Sequence, residues 1–302
     1  NDLKKIDADK IKPYYGLFTL KPEYVLEEDF EKIFLMKENK IPTLYDLGLI
    51  NFLLSKREKK NKIFENEVEL LKKFHSCIFH SKYEYNMSSR FYYKQIINKN
   101  FDKIQFTGNS VVDESNTYTP IFIVGLPRSG STLLESVLKS SKENILSVGE
   151  SNVINGSLLE QVGPKIYIKN FNIKNFKFEI NGEVFNRSVL NRYLQLNINK
   201  KENKIFIDKS LENFFNIQII LNIFPNAKFI HTFRNPVDSV ISIFQSMLAE
   251  LSWTHSIEDI LDYIDYYYKA VSYFKKKYPQ NFIDLDLEKF SNKPEKLTKD
   301  IY

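Results

Sequence analysis

Cysteine is almost absent from this chain, because Cys77 is the only one among 302 residues. A single cysteine excludes an intramolecular disulfide and favours a reducing, cytoplasmic environment. No apolar run approaches the ~20 residues that a membrane-spanning helix needs. The charged start of the chain, NDLKKIDADK, has no signal-peptide core. The sequence therefore predicts a cytoplasmic protein without a membrane span.

Metal-binding signatures are also missing from the sequence. It has four histidines, no HExxH motif, no Cys/His pair and no carboxylate cluster, so no metal centre is expected. The net charge is +5, from 43 Lys and Arg against 38 Asp and Glu. This small surplus of positive charge is compatible with an anionic ligand, but it does not indicate a nucleic-acid-binding surface. We therefore expect no nucleic-acid partner.

The strongest signal lies in residues 118–138, which read YTPIFIVGLPRSGSTLLESVL. The apolar run 121–124 is rich in β-branched residues and predicts a buried strand. A loop bounded by Gly125 and Gly130 follows, and then an amphipathic segment that opens with two hydroxyl residues. A strand, a glycine-bounded loop and a helix N-terminus together form a cradle for phosphate. The backbone N–H groups and the positive helix end attract the anion.

The cradle has the spacing of a Walker A loop but lacks its lysine. Gly130 is followed by Ser131, and Arg128 is the only cation within the loop. The segment 205–208 superficially resembles a Walker B strand that ends in Asp208, so a P-loop kinase or NTPase remains an alternative. The missing lysine speaks against that alternative, since it holds the β- and γ-phosphates in such enzymes.

The pattern of segments predicts an α/β fold with a helical N-terminal region. Strands and helices alternate beyond the cradle, which indicates a P-loop-type three-layer sandwich with a central parallel sheet. We expect a helical region at 1–115 and a catalytic domain at 116–302, separated at the polar, turn-rich stretch 108–119. Strands are expected at 121–124, 145–148, 204–207, 228–232 and 281–285.

Charged residues follow several of these strands. Arg128 lies in the cradle, Glu150 follows the second strand, Lys209 follows Asp208 at the third, and Arg234 follows the fourth. A parallel sheet delivers the loop after each strand to the same edge, where ligands bind. We therefore expect these four features to converge on one edge.

Two blocks of the sequence resemble a known family. The loop PRSGST, residues 127–132, resembles the loop with which sulfotransferases hold the 5′-phosphosulfate of 3′-phosphoadenosine 5′-phosphosulfate (PAPS). Its arginine form is similar to that of tyrosylprotein sulfotransferases and of bacterial sulfotransferases fused to tetratricopeptide repeats. The second block, 206–244, reads FIDKSLENFFNIQIILNIFPNAKFIHTFRNPVDSVISIF and resembles the bacterial branch.

The resemblance implies sulfuryl transfer from PAPS, without a metal, to a hydroxyl or amine acceptor. In the family an arginine and a serine eight residues later hold the 3′-phosphate of PAPS, which corresponds to Arg234 and Ser242. The residues implied in PAPS binding are Arg128, Ser129, Gly130, Ser131, Thr132, Arg234 and Ser242.

The resemblance also suggests two catalytic residues. Lys209 corresponds to a lysine that stabilises the transition state, because it neutralises charge on the departing phosphate. Glu150 corresponds to the general base, although the family pattern G-E-E is here Gly149-Glu150-Ser151. The cytosolic branch uses histidine instead. Of the four histidines, His231 is closest to a motif, but a partly buried structural histidine is the better interpretation. The other three are His75, His80 and His255.

Three questions stay open at this point. The acceptor is an unidentified hydroxyl-bearing compound, namely a small molecule, a saccharide, a lipid or a peptide tyrosine. The family's catalytic domain continues past a segment like 290–302, so a C-terminally truncated chain is expected, and a non-catalytic sulfotransferase-like binding module is a further alternative. The N-terminal helices offer a surface for a protein partner.

Overall fold

The structure is a computed structural model that describes residues 10–39, 42–108, 115, 117–140, 145–166, 177–200 and 205–292. Its contacts divide the chain into two compact units. The first unit comprises Asn1–Phe91 and Val240–Asp262, and the second comprises Tyr92–Ser239 and Tyr263–Tyr302. The predicted division at 1–115 and 116–302 stays a prediction, and most of the predicted boundary 108–119 lies outside the described residues.

The first unit is helical. Its N-terminal part contains α1 Ile11–Leu20, α2 Glu27–Asn39, α3 Leu44–Lys60, α4 Phe64–Ser81 and α5 Tyr83–Phe91, with a 3₁₀ turn at Pro22–Tyr24. A further 3₁₀ turn, Ser252–His255, lies in its second segment. Helix α3 begins where the Thr43 hydroxyl accepts a hydrogen bond from the Asp46 amide at 3.1 Å. Its last turn is basic, which suits the negative end of the helix dipole. The basic run 55–62 is therefore helical as far as Lys60.

The second unit is built on a parallel sheet. Five strands pair in the order β3-β5-β2-β6-β7, and every pairing is parallel. Their bounds are β2 Ile121–Gly125, β3 Leu146–Ser147, β5 Phe206–Asp208, β6 Lys228–Phe233 and β7 Phe282–Asp286. The central strand β2 has the consecutive residues Phe122, Ile123 and Val124 fully buried. Successive side chains point to opposite faces, so helices cover both faces of the sheet. The predicted α/β fold class is confirmed.

A second, two-stranded parallel sheet was not expected from the sequence. It pairs β1 Gln105–Thr107 with β4 Glu179–Asn181. Each of these strands has only three residues, and only the central residue of β4 is buried. Strands this short carry almost no periodic signal, which is why the sequence did not predict them.

The remaining helices connect the strands. They are α6 Ser131–Lys139, α7 Val153–Ile166, α8 Gly182–Gln195, α9 Ile217–Ile223, α10 Pro236–Phe244, α11 Ile257–Lys277 and α12 Leu287–Asn292. The boundary between the two units falls within both α10 and α11. A 3₁₀ segment, Leu211–Phe215, precedes α9.

Candidate active site

The cradle lies between β2 and α6, as expected. Arg128 and Gly130 have φ angles of 68° and 86°, in the left-handed region. Turns of this kind turn backbone N–H groups toward a common concavity that attracts anions. Gly130 also leaves room for Leu287, because a Cβ at Gly130 would lie 2.2 Å from a methyl carbon of Leu287. The loop and the open amides of the first turn of α6 therefore form an anion site.

The hydroxyl of Ser129 fixes the shape of the cradle. Ser129 is 1% exposed, and its Oγ donates to the carbonyl of Leu126 at 2.7 Å. The same oxygen lies 2.7 Å from Oγ1 of Thr232 on β6. A Cβ at Gly125 would lie 2.5 Å from the carbonyl oxygen of Thr232, so only glycine permits this approach. Ser129 thus holds the loop to the neighbouring strand, while Arg128 and Thr132 are exposed.

Lys209 lies at the centre of an ionic cluster. Its side chain is 6% exposed, and its Nζ lies 2.5 Å from Oε1 of Glu150 and 3.8 Å from Oε2 of Glu135. Glu150 is 62% exposed, whereas Glu135 is 13% exposed. The structure therefore brings the predicted residues Glu150 and Lys209 together. It excludes a simple surface pair between Lys209 and its neighbour Asp208.

Glu135 was missed in the sequence. It lies on α6, one turn after Ser131, so both residues occupy the same side of the helix that begins at the cradle. The four-residue spacing between Ser131 and Glu135 was the sequence signal that could have identified Glu135. The contact with Lys209 depends on the strand order, in which β5 lies directly beside β2 and separates it from β3. Lys209, at the end of β5, thus follows the strand next to the cradle strand.

Asp208 has a structural role. It is fully buried and accepts hydrogen bonds from the Ser210 amide at 2.7 Å, the Ser151 hydroxyl at 2.6 Å and the Tyr193 hydroxyl at 2.7 Å. The Asn213 amide group is a fourth donor at 3.4 Å. Burial, together with the Asp208 carboxylate, raises the pKa of Tyr193 well above its usual value. Both carboxylate oxygens are occupied, which speaks against a Walker B role in metal binding.

Arg234 follows β6, as expected, and one of its donors has no partner. Its terminal NH2 group lies 3.3 Å from Oδ2 of Asp238. Its Nε is buried and, among the described residues, has no hydrogen-bond acceptor. Buried donors are nearly always satisfied, so an orphaned guanidinium nitrogen suggests an absent anion. Ser242 lies two turns into α10, within the part of this helix that belongs to the first unit.

His231 is occupied by other side chains. Its Nδ1 donates to Oδ1 of Asp284 at 2.8 Å, and its Nε2 forms a hydrogen bond with the hydroxyl of Tyr267. Thr232 contacts the cradle, so His231, one residue earlier, points to the opposite face of the sheet. The hydrogen bond from His231, aided by Lys275, lowers the pKa of Asp284 to about 2. His231 is therefore a buried structural histidine, in agreement with the preferred interpretation of the sequence.

The other three histidines lie in the first unit. His75 donates from Nε2 to the carbonyl of Phe244 at 2.8 Å, and its Nδ1 lies 3.2 Å from Nδ1 of His255. Burial lowers the pKa of His75 to about 3 and that of His255 to about 4. Together with His80 they line a cavity of about 660 Å³ within this unit. The sequence could not predict this convergence, because the three residues share no motif.

Two further searches covered the described residues alone. No group of three or more His, Cys, Asp or Glu side chains there is arranged to hold a metal ion. No helix among them combines the length and the apolar character that crossing a membrane requires.

Three comparisons relate the chain to known proteins. The profile described as "Sulfotransferase family" matches residues 120–302. An uncharacterized protein of Aquifex aeolicus (strain VF5) is 29% identical over 197 residues, which cover 60% of this chain and 25% of that protein. The chain thus spans about a quarter of the length of that relative. The crystal structure of sulfotransferase STF1 from Mycobacterium tuberculosis H37Rv has 13% identity and a TM-score of 0.42, covering 86% of this chain and 80% of that one.

Proposed function

The chain belongs to the sulfotransferase family, and from this premise we propose that it transfers a sulfuryl group from PAPS to a hydroxyl or amine acceptor. The observation that carries the proposal is the ionic cluster at the edge of the sheet. A buried ammonium group, Lys209, contacts the exposed carboxylate of Glu150 and a carboxylate on the cradle helix. A cation for a leaving group and a carboxylate for an acceptor proton therefore lie side by side.

The cradle and Arg234 fit the two anionic ends of PAPS. In this proposal the loop amides and the Arg128 guanidinium bind the 5′-phosphosulfate, aided by the residues that begin α6. Arg234 binds the 3′-phosphate, and its orphaned Nε supports this assignment. An arginine fork forms two parallel hydrogen bonds to a phosphate, which a lysine cannot do. The remaining ligands within the second unit are Ser129, Gly130, Ser131 and Thr132.

The proposed reaction is an in-line displacement at sulfur. The acceptor oxygen attacks sulfur, Glu150 takes the acceptor proton, and the bond between sulfur and the bridging oxygen of the 5′-phosphate breaks. Lys209 and Arg128 stabilise the negative charge that develops on this phosphate. The products are the sulfated acceptor and adenosine 3′,5′-bisphosphate. The bisphosphate is a good leaving group, so the proposed mechanism needs no metal.

The decisive test is calorimetric titration of the chain with three nucleotides. We expect adenosine 3′,5′-bisphosphate to bind more tightly than AMP by ~2–4 kcal/mol, since the 3′-phosphate adds a charged bidentate contact. ATP with Mg²⁺ is the third ligand. Tight binding of ATP alone would favour the kinase alternative, and equal affinities for bisphosphate and AMP would refute the PAPS assignment. Failure of all three ligands to bind would favour a non-catalytic module.

A matched pair of variants locates the 3′-phosphate contact. Arg234→Ala is expected to remove most of the preference for the bisphosphate over AMP. Arg192→Ala removes an arginine of the same unit that pairs with the exposed Glu160 at 2.5 Å, and it should leave the preference unchanged. An Arg234→Ala variant that still prefers the bisphosphate would place the 3′-phosphate elsewhere.

A further inference from the structure

We propose that Glu135 is a positioning residue that keeps Lys209 protonated and in place while Glu150 acts as the base. The inference rests on the proposed function, because the roles of Lys209 and Glu150 come from it. It adds a third member to the site, supplied by the cradle helix itself.

Glu135 is held from two sides. Its Oε1 accepts a hydrogen bond from the Ser147 hydroxyl at 2.6 Å, and Ser147 Oγ in turn accepts from the Gly149 amide at 3.1 Å. Its other oxygen lies 3.8 Å from Nζ of Lys209. The carbonyl of Gly149 accepts from the Lys209 amide at 2.8 Å. These contacts join α6, the end of β3 and the end of β5 into one network.

The two carboxylates that contact Lys209 differ in their freedom to move. Glu150 is mostly exposed, so its side chain is able to turn toward an acceptor, while Glu135 is only 13% exposed and contacts Ser147 and Lys209. A carboxylate paired with an ammonium group is a weakened base, so Glu150 has to leave Lys209 before it accepts a proton. Glu135 then remains beside the buried ammonium.

Proton transfer changes which protein groups balance the charge of Lys209. Once Glu150 has taken the acceptor proton it is neutral, and Glu135 is the protein carboxylate that still balances Lys209 beside the departing phosphate. A buried ammonium without an anion is costly and tends to lose its proton. Among the described residues, the carboxylates within ion-pair distance of Lys209 are Glu150 and Glu135. The neighbouring Asp208 is occupied by four other donors.

The test measures the protonation of Lys209 directly and needs no acceptor. The folded chain is labelled with acetic anhydride from pH 7 to pH 11, and the acetylation of Lys209 is read by mass spectrometry. Loss of a neighbouring anion disfavours the protonated form, so Glu135→Gln should lower the midpoint of labelling by about one pH unit or more. Glu135→Asp keeps the charge and should restore much of the shift.

Two further variants complete the design. Glu160→Gln removes a carboxylate of the same unit that pairs with Arg192 at the surface, and it should leave the midpoint unchanged. Ser147→Ala removes the hydrogen bond that holds Glu135 and should shift the midpoint in the same direction by less. If Glu135→Gln does not fold, as judged by its thermal melt, the Ser147→Ala variant provides the test.

The outcomes separate this inference from the proposed function. A wild-type midpoint in both Glu135→Gln and Ser147→Ala would refute the role of Glu135, whether or not the chain binds adenosine 3′,5′-bisphosphate. A shifted midpoint together with bisphosphate binding supports both. A shifted midpoint in a chain that fails to bind the bisphosphate would refute the proposed function, and with it the catalytic part of this inference.

Discussion

The two compact units bury ionisable side chains in opposite ways. In the first unit, His75 and His255 contact each other and a backbone carbonyl, and burial keeps both neutral at physiological pH. In the second unit, Lys209 and Asp208 are buried beside polar partners: Lys209 contacts two carboxylates, and Asp208 accepts hydrogen bonds from four donors. The comparison shows two ways to bury an ionisable group, as a neutral ring in the first unit and beside complementary polar groups in the second. One of those partners, Glu150, is exposed.

The largest effect is expected at that exposed partner. Glu150→Gln should lower turnover of PAPS by ~10²–10⁴, because a general base is lost. The measurement is sulfuryl transfer to an acceptor found by screening phenols, saccharides and tyrosine peptides. The affinity for adenosine 3′,5′-bisphosphate should stay within a few-fold of wild type. A loss of turnover, thermal stability and bisphosphate binding together would instead indicate that Glu150 is structural.

The next largest effect concerns stability of the second unit. Asp208→Ala leaves four donors without their acceptor, and it should lower the free energy of unfolding by ~3–5 kcal/mol. Urea unfolding followed by circular dichroism measures this loss. Glu183→Ala, which removes an exposed partner of Arg187 on α8, should change stability by less than ~0.5 kcal/mol. Equal losses in the two variants would contradict the contrast between fixed and exposed partners.

The first unit should lose stability as the pH falls from 7 to 5. The pKa of His75 is about 3 and that of His255 about 4 in the folded chain, against ~6.5 when unfolded. Between these limits the unfolded state binds more protons, so stability decreases as the pH falls below 6.5. At pH 5 each histidine accounts for about 2 kcal/mol.

Trp253 reports this transition, because it is the only tryptophan and lies buried in the first unit. Its fluorescence during urea unfolding is compared at pH 7 and pH 5. The double variant His75→Gln, His255→Gln should lose most of the pH dependence. An unchanged slope would mean that the two histidines do not control it.

The smallest effect is expected at Asp284. Its side chain is 46% exposed, which lies between the 6% of Lys209 and the 62% of Glu150. Its folded pKa of about 2 lies below the usual carboxyl value of 3.8. Its contribution is therefore present above pH 3.8 and is lost as the pH falls toward 2. Asp284→Asn should cost no more than ~1 kcal/mol at pH 7 after allowance for solvent screening. Urea unfolding at pH 7 and pH 2.5 measures it, and a difference from wild type that is as large at pH 2.5 as at pH 7 would contradict this account.

The sequence predicted the local elements of the site, but it did not predict which strands and side chains lie next to each other. The cradle strand, its glycine loop and the helix start at Ser131 follow from periodicity and turn chemistry within a short stretch. Local periodicity also predicted the strand ends that carry Glu150, Lys209 and Arg234. The order β3-β5-β2 depends on contacts between distant residues, so the sequence did not show that Lys209 reaches Glu135.

The contact between Gly130 and Leu287 has a consequence for the order in which the protein is made. Gly130 leaves room for Leu287, which lies at the start of α12, against the back of the cradle loop. A ribosome synthesises the loop long before it reaches residue 287. The nascent chain therefore exposes the cradle sequence without the side chain that supports it. The cradle loop therefore gains its contact with Leu287 only when the start of α12 has left the exit tunnel.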